Sequence, residues 1–89
     1  MFEVSFSGKF KKDFKKHSKD AKNYELIDAA LLLLRNTGGL HDPIYQTHDL
    51  AGNYKNHNDS HLKPDLILIW KKTEKMITLV RLGSHSQLF

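Results

Sequence analysis

The sequence predicts an α+β domain whose elements run β-α-α-β-β-β, an antiparallel sheet with two helices packed on one face. Three observations lead there. Phe2-Glu3-Val4-Ser5-Phe6 alternates apolar and polar side chains, the period of a half-buried strand. Two stretches follow in which apolar side chains recur at helical spacing. Two apolar runs, Asp65 to Lys71 and Met76 to Leu82, then read as strands joined across Lys72-Thr73-Glu74-Lys75.

Each element has its own signal. Ser7 offers an N-cap for the first helix, where Phe10 and Phe14 lie four apart on one face and His17 continues the row. Lys9, Lys11, Lys12, Lys15, Lys16 and Lys19 cover the rest of about three turns, interrupted by Asp13. That cationic face suits contact with phosphates, without sequence choice and with strong salt dependence. For any single lysine an ordinary solvated surface is the commoner role. Asn23 is the expected N-cap of a second helix from Tyr24 to about Asn36. Leu26, Ala30 and Leu33, with Ile27, Leu31 and Leu34, make a wide apolar stripe on it. The four consecutive leucines read as core, and Gly38-Gly39 supplies the left-handed residue that ends the helix. From Leu40 to Asn53 no period is evident; Asp42-Pro43 and Gly52-Asn53 mark turns, and Tyr54 to Asn58 reads as a weak strand.

Eighty-nine residues suit one domain, spanning 1–89. With no cysteine, neither disulfides nor thiolate metal sites enter. No amino-terminal apolar leader and no long apolar run is present, so the expectation is a soluble cytoplasmic protein with no membrane partner. Fourteen Lys and Arg against ten Asp and Glu leave a net charge of +4, which favours polyanions or an acidic partner protein.

The titratable side chains gather between His48 and Asp65, where three of the six histidines and three aspartates precede the apolar run. Cleaving RNA without a metal needs a base for the ribose 2′-hydroxyl, an acid for the leaving 5′-oxygen, and donors for the phosphate. His48, His61, Asp65 and His85, with Arg81, offer that set. All but His85 also have a plain alternative: a loop histidine, a strand cap, an Asx turn beside Pro64, a surface arginine. A metal site is the competing chemistry, with His57 and His61 four apart. That spacing gathers ligands on a helix, however, and this segment reads as strand and loop; HExxH is absent. No metal and no cofactor are expected.

Three segments carry a family resemblance: His48-x-Leu50-x-Gly52-x-Tyr54-Lys55; His61-x-Lys63-Pro64-Asp65-Leu66-Ile67-Leu68-Ile69; and Arg81-Leu82-Gly83-Ser84-His85-Ser86-Gln87-Leu88-Phe89. Together with the lysine-rich first helix and the leucine-rich second, they resemble the YafQ branch of the RelE/ParE toxin superfamily, including its small Helicobacter toxins. The resemblance implies a RelE-like fold, similar to small microbial ribonucleases. It also implies a metal-independent mRNA interferase of a type II toxin–antitoxin pair, acting on mRNA in the ribosomal A site and neutralised by an acidic antitoxin. By that analogy His85 is the general acid and Asp65 the base, while His48 and His61 hold or polarise the phosphate and the 2′-hydroxyl. Arg81 faces the scissile phosphate. Lys55, His57, Phe89, Lys11 and Lys15 are the remaining candidate RNA contacts, with Phe89 either stacking on a base or plugging the sheet edge. The chain departs from the family pattern at His57-Asn58, where relatives commonly carry an aromatic and an arginine. The alternatives are a toxin-like module that binds antitoxin or RNA without cutting, and a ParE-like gyrase inhibitor, which would not need the acid–base groups.

Overall fold

A computed structural model describes residues 1–89. The alternating amino-terminal stretch forms β1 (Glu3–Phe6). Ser7 ends it and starts α1 (Gly8–His17): its hydroxyl accepts the Phe10 N–H and donates to the Val80 carbonyl at 2.6 Å. The second helix, α2 (Ala21–Thr37), begins earlier than expected. Asp20 caps it by accepting the N–H groups of Lys22 and Asn23, and the Asn23 amide instead donates to the His17 carbonyl. Gly38 closes it at φ 79° with its N–H on the Leu34 carbonyl, and a Cβ there would lie 2.5 Å from the Phe2 ring.

Five strands form one sheet in the order β1-β5-β4-β3-β2. The later strands are β2 (His48–Asp49), β3 (Asn58–Lys63), β4 (Leu66–Lys72) and β5 (Met76–Gly83), followed by a short α3 (His85–Leu88). The α+β class holds, with corrections to the detail, among them a fifth strand, β2, in a stretch where no period is evident. The sheet is antiparallel from β2 to β5, but β1 runs parallel to β5. No hairpin joins those two strands, and the rest of the chain provides the long connection that parallel neighbours require. The strand expected at Tyr54 to Asn58 is a 3-10 turn at Gly52–Tyr54 and an irregular link, with Gly52 and Asn56 at positive φ. Pairing resumes only at Asn58, which puts His61 inside a strand. The expected element order has no third helix; α3 is started by a reciprocal capping box between Ser84 and Gln87.

Phe10 from α1 and Ile27, Ala30 and Leu34 from α2 pack on Leu66, Leu68 and Trp70 of β4 and on Ile77 and Leu79 of β5. Both helices therefore cover one face. Leu32 and Leu33 turn to solvent, so the four leucines are not all core. On the other face Ile67 and Ile69 pack with Leu88, Leu50, Tyr54 and Val80. Residues 66 to 70 are buried on both faces, which is why that run never alternates.

Beneath the loop before β2, the buried Ser60 hydroxyl accepts the Trp70 indole N–H at 3.0 Å and shares a 2.7 Å hydrogen bond with the Thr47 hydroxyl. Ser60→Ala leaves the buried indole donor without an acceptor. We expect a loss of about 1–3 kcal/mol, read as a fall in Tm of about 4–8 °C per kcal/mol for a domain of this size. An unchanged thermal unfolding midpoint would contradict the network.

Candidate active site

Alternation along β3 sorts its side chains. Ser60 and Leu62 face the helices, so Asp59 and His61 face away from them. The two-residue turn Pro64-Asp65 then sets Asp65 at the end of the β3–β4 hairpin. The end of β5 lies beside the start of β4, with Gly83 opposite Ile67, so the first residue of α3 arrives at the same end. There Asp65 Oδ1 accepts the His85 backbone N–H at 3.1 Å and lies 3.2 Å from His85 Nδ1. The rings of His85 and His61 are 5.5 Å apart. Three of the four groups proposed for proton transfer thus meet from three separate elements.

The fourth, His48, is exposed on β2 directly opposite Asp59, its Nδ1 3.8 Å from Asp59 Oδ1. Sequence analysis passed over Asp59. Its two-residue spacing from His61 within a strand was the available signal. It is 8% exposed, and neither its Oδ1 nor His61 Nδ1 has a hydrogen-bond partner. With Nδ1 turned inward, Nε2 is the His61 nitrogen available to the cleft it lines.

Arg81 is held from the helix layer. Beyond Leu79, β5 has no β1 residue beside it, and Asp13 of α1 takes the vacant edge. Asp13 Oδ2 accepts the Leu82 N–H at 2.9 Å and Arg81 Nε at 2.8 Å, while Oδ1 lies 3.4 Å from Arg81 Nη2. This hydrogen-bonded contact raises the Arg81 pKa above its ordinary value, opposed by burial, with the Asp13 charge and Tyr54 adding to it. Asp13, which interrupts the lysine face in sequence, is the residue that aims the arginine. Tyr54 continues the wall: its ring lies 6.1 Å from Phe89 and 5.8 Å from His57, and Phe89 lies 6.3 Å from His85. Phe89 is 59% exposed, whereas Leu88, at 7%, fills the hydrophobic plug position.

The remaining candidates divide. Lys55 and His57 line a neighbouring cleft of about 600 Å³ with Lys72, and His57 Nδ1 lies 3.0 Å from the Lys55 carbonyl. Lys11 borders an apolar groove between β1, α1 and α2, across the sheet from the histidines, and Lys15 lies one turn further along the same helix. No set of three or more His, Asp or Glu side chains converges as metal ligands.

The Asp65 carboxyl is held below its ordinary value of 3.8, first by the His85 backbone N–H, then by the His85 ring, with slight burial opposing. A carboxyl whose pKa falls on folding contributes stability above its unfolded value, and that contribution disappears as pH drops through the lowered one. A carbon-detected NMR titration should find Asp65 ionising below 3.8. In His85→Ala, which keeps the backbone donor, it should move only part of the way back. Titration at the ordinary value in the unaltered protein would refute the contact.

The profile of the family described as "Bacterial toxin of type II toxin-antitoxin system, YafQ" matches residues 2–89. The mRNA interferase toxin YafQ of Escherichia coli strain K12 is 34% identical over 87 residues, covering 98% of this chain and 95% of the relative. In structure, the chain superimposes on YafQ from the E. coli DinJ–YafQ complex with a TM-score of 0.88 at 34% identity, covering 100% of this chain and 99% of the other. It superimposes on a metal-bound toxin from Helicobacter pylori with a TM-score of 0.86 at 38% identity, covering both chains in full. The chain belongs to the YafQ family of bacterial type II toxin–antitoxin toxins.

Proposed function

We propose that this protein is the endoribonuclease toxin of a type II pair, cutting mRNA in the cytoplasm, in the ribosomal A site, without a metal ion. The observation that carries the reading is the meeting of His61, Asp65 and His85 at one end of the sheet. In the reaction a base takes the proton of the ribose 2′-hydroxyl as that oxygen attacks the adjacent phosphorus. The bond to the 5′-oxygen breaks, and an acid supplies the proton the leaving oxygen needs. The products are a 2′,3′-cyclic phosphate and a 5′-hydroxyl.

His85 is the acid. With Nδ1 against Asp65, its Nε2 presents a proton to the leaving oxygen. The analogy assigned the base to Asp65, but that carboxylate already engages His85 and its lowered pKa makes it a weak base. The base role passes to His61 Nε2, and Asp65 orients the acid, as carboxylates do for catalytic imidazoles elsewhere. His48, across from Asp59, holds a non-bridging phosphate oxygen. Arg81 has five N–H donors, of which two face Asp13; the others remain for a second oxygen. Phe89 supplies an exposed face for a base.

The relatives support the partners. The E. coli relative is named an mRNA interferase, and YafQ is seen bound to DinJ. For this chain the antitoxin should be an acidic segment that offsets the +4 charge and the lysines of α1.

Purified protein incubated with naked RNA in EDTA, and separately with translating ribosomes in magnesium buffer, should generate cyclic-phosphate ends. His85→Ala should slow that cleavage about 10²–10⁴-fold. RNA left intact under both conditions would overturn the enzyme and leave a binding module. Binding of uncleavable single-stranded RNA should weaken with salt. Lys11→Ala and Lys15→Ala should each flatten the log–log slope by about 0.7 if those side chains contact phosphate. An unaltered slope would remove the lysine helix from the RNA path.

A further inference from the structure

The loop before β2 is tied by hydrogen bonds along its backbone yet leaves two side chains without internal use. Asp42 Oδ1 accepts the Ile44 N–H at 3.0 Å, Pro43 opens a 3-10 turn, and the Gln46 N–H closes it on the Pro43 carbonyl at 3.0 Å. Thr47 then anchors the loop, its hydroxyl donating to the Leu40 carbonyl at 2.8 Å and meeting Ser60. Tyr45 packs against the core. Ile44, by contrast, is 76% exposed, and the exposed Gln46 side chain forms no hydrogen bond within the protein.

Gln46 also sits at φ 47°, ψ 48°, in the left-handed region, where glycine would be at ease and a side chain costs about 1–2 kcal/mol. Such costs persist where the surrounding structure fixes the backbone, and they cluster at functional sites. Both residues line, with His61, Lys63 and His85, a cleft of about 650 Å³. Gln46 borders a second cleft of about 460 Å³ on its other side. A nucleotide whose phosphate lies at the histidines therefore has its base within the same cleft as this loop.

We infer that Ile44 and Gln46 form the nucleobase-recognition subsite beside the scissile phosphate. Ile44 is the apolar surface against which the base lies flat. The Gln46 amide, with a donor and an acceptor on one planar group, reads the edge of that base, which is free in single-stranded RNA. Phe89 stacks without choosing; Gln46 chooses. The inference rests on the reading of RNA as the substrate.

The test uses short RNAs with a single 2′-deoxy sugar at the cleavage position, which bind but cannot react. Sixteen versions vary the two bases flanking that linkage, and Kd is measured for each by fluorescence anisotropy. The unaltered protein should separate the best and worst by about tenfold or more, as one paired base edge allows. Gln46→Gly, which relaxes the left-handed backbone and keeps or raises Tm, should compress the spread to about twofold. Gln46→Glu, which replaces the donor by an acceptor, should reorder the sixteen, and Ile44→Ser should weaken all of them alike. A Gln46→Gly protein that keeps the original order and spread overturns the subsite, as does an unaltered protein that shows no spread. Base-selective binding without cleavage of ordinary RNA would sink the catalytic reading and keep this one. Cleavage with a selectivity indifferent to residue 46 would do the reverse.

Discussion

The architecture depends on β4 being buried on both faces at once. Leu66, Leu68 and Trp70 anchor the helix layer while Ile67 and Ile69 receive the carboxyl-terminal Leu88. A strand confined in this way admits little freedom of register, because a one-residue slip would exchange the two apolar sets across the sheet. Its amino end is therefore a fixed point. The turn carrying Asp65 precedes it, and the last residues of β5, which lead into His85, lie beside it. Packing of apolar side chains thus brings His85 and Asp65 together.

The two faces of the sheet divide the work. Toward the helices the buried Ser60 hydroxyl is matched with Trp70 and Thr47, while Asn23 Oδ1 has no partner. Toward the histidines Asp59 Oδ1 and His61 Nδ1 lie buried without partners. Unmatched polar atoms cost stability, and two of the three in this protein lie on the face that carries the histidines. Natural sequences commonly relax local rules at functional sites.

Asp13 connects the layers. One carboxylate both completes the hydrogen bonding of β5 past the end of β1 and holds the guanidinium of Arg81. A bulge at Val80, where the β4–β5 register shifts, adjoins this arginine. The arginine is thus oriented before any ligand arrives, which reduces the ordering that binding a phosphate would require. Tyr54 extends the same surface to Phe89 and His57, so a single wall runs from the arginine to the His85 imidazole.

Local patterns were enough for much of the fold. Alternation marked β1, the Ser7 cap and the Phe10–Phe14 spacing marked α1, the unbroken apolar run marked β4, and Gly38 marked the end of α2. Each of these is written in residues within a few positions of one another, where backbone geometry acts directly. The spacing of His48, His61, Asp65 and His85 offered weak evidence, and it was the motif resemblance that singled them out. What sequence alone did not contain was the direction of β1, the solvent-facing turn of Leu32 and Leu33, and the pairing of Asp13 with Arg81. It also did not contain the engagement of Asp65 by His85, through both the backbone N–H and the ring. These depend on which surfaces meet when residues far apart in the chain are packed, and no local period encodes that meeting.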